Sequence, residues 1–275
     1  MSSFDYYQAS VSASPDHVIP ALLEQYPWAA VDHEKATNGY DRASVIHRGD
    51  TKLCRIQWGG NTGGNTQIRG TGENAPECAQ AIRLLWPEHR LQRADVAEDY
   101  SEEGVWETMS DYGLYLAEQF ALKIDQRGDW NRNDIMGKGR TLYLGSRQSL
   151  AFLRVYEKGK EKAVRSGGQI TDQHHVRAEA EIKPQNKVQG YALASFEPRD
   201  YWRCSPWLNQ YSTILFRKNM ERIRLWTVTK QSDDDRALDY MLKQYGAVMG
   251  RQMGANGEEY LLSKILETAR ANLHK

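Results

Sequence analysis

Three short segments alternate charged with small apolar residues at a period of two, a pattern that separates into two faces only on an extended strand. In Arg93 to Asp99 (RADVAED), Arg93, Asp95, Ala97 and Asp99 fall on one side and Ala94, Val96 and Glu98 on the other. In Arg177 to Lys183 (RAEAEIK), Arg177, Glu179, Glu181 and Lys183 share a side. In Phe152 to Lys158 (FLRVYEK), Leu153 and Val155 turn to the core, leaving Arg154, Tyr156 and Lys158 together opposite them. Such strands predict a sheet that buries one face and keeps the other polar.

The rest of the chain supplies more strands and the helices that cover a sheet. Phe4 to Val11 reads as a strand, and Ser14-Pro15-Asp16 caps a helix carrying Ile19, Leu22, Leu23 and Tyr26. Strand-like runs at Arg42 to His47 and Lys52 to Trp58 flank a turn at His47 to Asp50, and the glycine-rich 59–64 leads to a strand at Thr66 to Arg69. Cys78, Ala81, Ile82 and Leu85 mark a helix that Pro87 ends before a strand at Arg90 to Asp99. Val105 to Phe120 repeats the helical stripe, and Gln126 to Lys138 reads as a loop. Strands are expected at Thr141 to Leu144, Ala151 to Glu157 and Val176 to Lys183, with a polar loop over 159–173. Two apolar stripes, Leu238 to Tyr245 behind a start at Ser232 and Leu261 to Leu266, place helices at the end. The expected class is α+β, with a catalytic domain over 1–230 and a helical region over 231–275 packed on it.

Composition narrows the partners. A mean hydropathy of −0.72 and the lack of a long apolar run argue against a membrane span, and the first residues, MSSFDYYQ, show no secretory pattern, so a cytoplasmic protein is expected. Cys54, Cys78 and Cys204 are odd in number and widely spaced, which suits reduced structural thiols better than a disulfide or zinc framework. Net charge is zero, so any grip on nucleic acid must be local. The stretch Arg140 to Arg165 holds seven cations (Arg140, Arg147, Arg154, Lys158, Lys160, Lys162, Arg165) against Glu157 and Glu161.

The chemistry these groups permit is phosphoryl transfer. A tyrosine ionises near pH 10, and neighbouring cations favour its phenolate while offering sites for a phosphate. If the three strands adjoin, Asp95 and one of Glu179 or Glu181 could bind Mg²⁺ or Mn²⁺ near Tyr156, since carboxylates suit hard ions. A strand tyrosine between cations is nevertheless more often structural, and alternating charge more often marks a solvated sheet face.

The segment Gly139 to Ser149 (GRTLYLGSRQS) followed by Phe152 to Lys158 resembles the Rep_trans family of rolling-circle replication initiators. The family's Arg-x-Asp strand is matched at 93–99 and its Arg-x-Glu strand ending in Lys at 177–183. The resemblance implies a mostly antiparallel sheet with flanking helices, related to HUH and RRM-like folds. It also implies a nickase that stays on the 5′ end of the cut strand through Tyr156. Arg154 and Lys158 would then be partners of phosphate or phenolate, and Asp95, Glu179 and Glu181 the metal-site candidates for Mg²⁺ or Mn²⁺. Arg147, Arg140, Lys160, Arg177 and Lys183 are the expected DNA contacts. Origin DNA, a host helicase and a homodimer are the implied partners. HUH nickases use a His-hydrophobic-His pair, which this sequence lacks; His174-His175 is the nearest approach and reads as a solvated loop pair.

Two other readings remain open. A non-catalytic DNA-binding regulator could keep the fold and basic face without the chemistry. An RNA-binding RRM-like sheet would expose aromatics in an RNP1 pattern, and that pattern is absent.

Overall fold

Alternation along β1 (Ser3–Val11) explains why a sheet forms through the middle of the molecule: Tyr7, Ala9 and Val11 are buried, while Tyr6 and Gln8 point the other way. In the computed structural model, ten strands join in one sheet in the order β2-β3-β4-β5-β1-β6-β10-β9-β8-β7, every neighbouring pair antiparallel. The others are β2 (Ala30–Glu34), β3 (Arg42–Arg48), β4 (Thr51–Trp58), β5 (Thr66–Thr71), β6 (Arg90–Tyr100), β7 (Ile124–Arg127), β8 (Thr141–Gly145), β9 (Ala151–Glu157) and β10 (Val176–Ile182). The structure describes residues 2–60, 64–130, 139–168, 170, 172–218, 220–223 and 233–272.

Helices lie on one face of the sheet. They are α1 (Pro15–Gln25), α2 (Ala75–Leu85), α3 (Val105–Gln119), α5 (Lys187–Ala194) and α6 (Pro206–Phe216), with α4 (Lys158–Ser166) following β9 directly. The core between them is continuous, running from Ile56 and Ile68 through Val96 and Ala180 to Leu142, Leu153 and Tyr211. The three cysteines are buried in it as free thiols. The α+β class and antiparallel sheet agree with expectation, as does the tight turn between β3 and β4, where Gly49 takes φ +57°.

Four elements differ from the sequence reading. Residues 158–166 are helical, not loop, because Lys158–Glu161 and Arg165–Glu161 pairs at helical spacing support a segment with almost no apolar stripe. β2 and β7 are edge strands whose side chains are largely exposed, so neither carries the buried alternation that marks inner strands. β10 ends at Ile182, one residue before Lys183. The His175 ring lies within hydrogen-bond distance of Asp99, at 2.8 Å, and is only 14% exposed, so it is not a solvated loop residue.

The described residues divide into two units, within Met1–Trp226 and within Thr227–Lys275. The second contains α7 (Asp233–Asn256) and α8 (Glu258–Asn272), joined at Gly257. The expected start at Ser232 and most of the expected loop 126–138 lie outside the described residues. No helix among the described residues is long and apolar enough to cross a membrane.

Candidate active site

Register brings the three alternating strands side by side. Arg177 of β10 pairs with Tyr156 of β9 and with Asp99 of β6; Glu179 pairs with Arg154 and Ala97; Glu181 pairs with Phe152 and Asp95. Tyr143 of β8 stands opposite Arg154. Tyr156, Arg154, Asp95, Glu179, Glu181 and Arg177 therefore share the face that the helices leave open.

Tyr156 is the last residue but one of β9, and α4 begins two residues later. Lys158 is thus the first residue of a helix and not a strand neighbour, yet its Nζ reaches the Tyr156 hydroxyl at 3.2 Å. The Arg154 guanidinium lies over the Tyr156 ring, 4.2 Å from its centroid. These cations do not prevail: burial pushes the Tyr156 hydroxyl above the ordinary tyrosine value, Arg154 and Lys158 offset that only in part, and Glu179 adds to it. The free site therefore holds a phenol, contrary to what counting adjacent cations implies. Tyr156 lines a cleft of about 420 Å³ together with Tyr143, Arg154, Glu161 and Arg165.

The carboxylates are buried and already neutralised. Arg93 grips Asp95 with two nitrogens, at 2.7 and 2.6 Å, and the same Nη2 lies 2.8 Å from Glu181. Glu181 also meets Arg147 at 3.0 Å and Lys183 at 2.7 Å, and Glu179 meets Arg154 at 2.6 Å. Burial, reinforced by Glu179 and Glu181, pushes Asp95 up to about 6 despite Arg93. Two buried carboxylates meeting at one cationic nitrogen offer the oxygen donors a hard divalent ion takes, with Arg93 standing where such an ion would have to replace it. Glu179 is turned towards Arg154, and among the described residues no three acidic, His or Cys side chains converge as a metal cage. Periodicity placed Arg93 on this face, but its bridging position comes only from the register of β6 against β10.

The remaining expected DNA contacts separate into two groups. Arg140 and Lys160 bind buried Glu157, at 3.0 and 2.8 Å; Glu157 alternates with Tyr156 and so points to the opposite face. Arg177 is held by Asp99 and Asp5 at 2.7 and 2.8 Å. Arg147 and Lys183 stay at the end of the face near Glu181, with Arg147 57% exposed.

A family model described as replication initiation factor, Rep_trans, matches residues 89–265, more than half of the chain and including every strand of this site. The chain belongs to that family. Among curated proteins this initiation factor finds no match. Its solved likenesses include the rolling circle replication initiator protein from Geobacillus stearothermophilus, at 16% identity and a TM-score of 0.49, covering 85% of this chain and 90% of that one. Likeness at that level does not identify an activity.

Proposed function

We propose that this replication initiation factor is a tyrosine DNA nickase and strand transferase of rolling-circle replication. The observation that carries the reading is the position of the Tyr156 hydroxyl. It lies on the open face of the sheet, 3.2 Å from the Lys158 ammonium and beneath Arg154, one strand from the Glu179 and Glu181 carboxylates and two from Asp95.

In the proposed reaction the Tyr156 oxygen forms a bond to phosphorus as the bond to the 3′-oxygen breaks. The phenol's proton passes to solvent, and the departing 3′-oxygen takes one up. The 5′ end stays on the protein as a phosphotyrosine, so a free 3′-hydroxyl can reverse the step without a nucleotide cofactor. Lys158 donates to the tyrosine oxygen and stabilises it as charge develops; Arg154 holds the ring and faces the phosphate. Asp95 and Glu181 would hold Mg²⁺ or Mn²⁺, with Glu179 able to join only on leaving Arg154, and the contribution of such an ion when bound would be Lewis-acid polarisation of the phosphodiester. Origin DNA as substrate, a host helicase, pairing with a second copy and a cytoplasmic setting complete the reading and come from the family resemblance.

Supercoiled DNA carrying the cognate origin, incubated with the protein and Mn²⁺, tests this. Denaturing electrophoresis should show one nicked strand, and mass spectrometry a nucleotide-linked peptide containing Tyr156. Tyr156→Phe should abolish both while retaining DNA binding. Nicking that survives in Tyr156→Phe moves the nucleophile to Tyr143. Binding without any nick or adduct in the parent protein leaves a DNA-binding regulator.

A further inference from the structure

Beyond Tyr143 the open face continues into a second groove, of about 290 Å³, that the chemistry described above does not use. Tyr143 walls both this groove and the cleft lined by Tyr156, so the two adjoin at one ring. Its floor is an aromatic pair: Tyr143 and Phe152 stack with centroids 5.7 Å apart and ring planes 21° from parallel. Arg127 lies over the Tyr143 ring at 5.4 Å and Arg147 over the Phe152 ring at 4.5 Å. Lys123 adds a third cation, against the single carboxylate of Asp125.

The charge here differs in kind from that around the carboxylates. Arg93 and Arg154 are 26 and 33% exposed and committed to the buried Asp95, Glu181 and Glu179, while Arg177, 18% exposed, is held by the more open Asp99 and Asp5. Arg127 and Arg147 are 70 and 57% exposed, so each keeps N–H donors turned to water although it also pairs with Asp125 or Glu181. Exposed guanidinium groups over an aromatic pair match the two needs of an unpaired nucleotide, a cation for the phosphate and, once Arg127 swings off the Tyr143 ring to meet that phosphate, a ring face for the base.

We propose that this groove is the subsite for single-stranded DNA flanking the scissile phosphate, with a base packed on Tyr143 and adjacent phosphates on Arg127 and Arg147. The proposal rests on the nicking reading and says where the strand runs on one side of Tyr156. Phe152 lies four residues from Tyr156 along β9, roughly 13 Å at the usual rise of a strand. That separation puts the groove a short way along the strand from the cut. Because base stacking on an aromatic ring tolerates any sequence, the subsite grips DNA without reading it.

The test is equilibrium binding of a fluorescein-labelled oligothymidylate, followed by anisotropy in EDTA with Tyr156→Phe protein, so that no strand is cut. Adding Tyr143→Ala should weaken binding roughly tenfold, while Tyr143→Phe, which keeps the ring, should bind as the parent does. Arg127→Ala and Arg147→Ala should each lower the salt dependence of binding by about one released counterion. Arg127 is largely exposed, so its variant reads the subsite even if Tyr143→Ala loses the fold, which a thermal melt reveals. Unchanged affinity in folded Tyr143→Ala, or an unchanged salt slope in both arginine variants, overturns the subsite. So does a parent that fails to bind the oligothymidylate. A Tyr156 adduct in the nicking assay together with unchanged binding in these variants refutes the subsite alone; absence of the adduct refutes the nicking reading instead.

Discussion

On the β5–β1 side of the open face, amides pass hydrogen bonds from one to the next. Gln57 donates to Gln67 at 2.9 Å, Gln67 to Gln92 at 2.8 Å, and Gln8 to the same Gln92 oxygen at 2.7 Å, with Tyr6 donating to Gln8 at 2.6 Å. Across β6 the same face carries Asp95, Glu179 and Glu181 held by Arg93, Arg154, Arg147 and Lys183. Both regions bury polar groups and pair nearly all of them, the Arg154 Nε being left without a hydrogen-bond partner, but by different means. An amide network is neutral, so protons, salt and cations have little to act on. An ionic network is held by counter-charges that a phosphate or a divalent ion can replace, which makes it costly to break and open to exchange.

The sharpest break is Arg93→Met, which leaves Asp95 and Glu181 buried without the nitrogen they share. Removing one partner of a buried pair destabilises by about 3–5 kcal/mol, and urea unfolding should show a loss of that order. Mn²⁺ should restore part of it in the variant and add less to the parent. A variant as stable as the parent would falsify the view that these carboxylates depend on Arg93. Gln67→Leu tests the other side. It strands the Gln57 amide and removes donors to Gln92 and Tyr40, for a loss of roughly 2 kcal/mol. That loss should be the same in acid and at neutrality and indifferent to Mn²⁺; a pH-dependent loss would erase the contrast between the regions.

The ionic region was the more legible of the two in sequence. Charge at every second position in 93–99 and 177–183 can be read directly, and the register of β6, β10 and β9 places those positions as alternation requires. The amide network escaped, because its members come from four strands and Gln92 reaches Gln8 through a register shift between Gln8 and Ala9. α4 escaped because its helical signal is ionic rather than apolar, and with it the true position of Lys158. Tyr156 was located by motif and strand phase, but the direction of its ionisation was not. Counting Arg154 and Lys158 captures the attraction and omits the desolvation that outweighs it.

Acid titration should set the ionic network apart from a second buried acid, Glu157, on the opposite face of the sheet, with a smaller effect than either substitution. Glu157 is buried between Arg140 and Lys160; burial alone raises its ionisation, but hydrogen bonds from both cations leave it below the ordinary value. A carboxyl depressed on folding stabilises above its unfolded value, near 4.5, and loses that contribution as pH falls through the folded value. The parent should therefore lose stability on acidification in this window, and Glu157→Gln should flatten that part of the profile. Asp95 works in the opposite sense: being raised to about 6, it favours the fold more as pH drops from neutrality towards its unfolded value, near 3.8. A parent whose stability is level across the acid range would mean that the two contributions cancel, and Glu157→Gln would then gain stability on acidification.

The smallest expected effect separates charge from burial. Lys52 meets Glu34 at 2.5 Å on the far side of the sheet, as close as any ion pair in the site, but the lysine is 68% exposed. An exposed pair in water contributes about 0.5 kcal/mol, because solvent screens it and a long side chain must be ordered to make it. Lys52→Ala should therefore cost about that much at low salt and nothing measurable at high salt. Arg93→Met should keep most of its cost in the same high-salt buffer, because Asp95 and Glu181 are shielded from mobile ions. If Lys52→Ala proved as damaging as Arg93→Met, short charge contacts alone would explain both regions, and the burial of the carboxylates beside Tyr156 would carry no special weight.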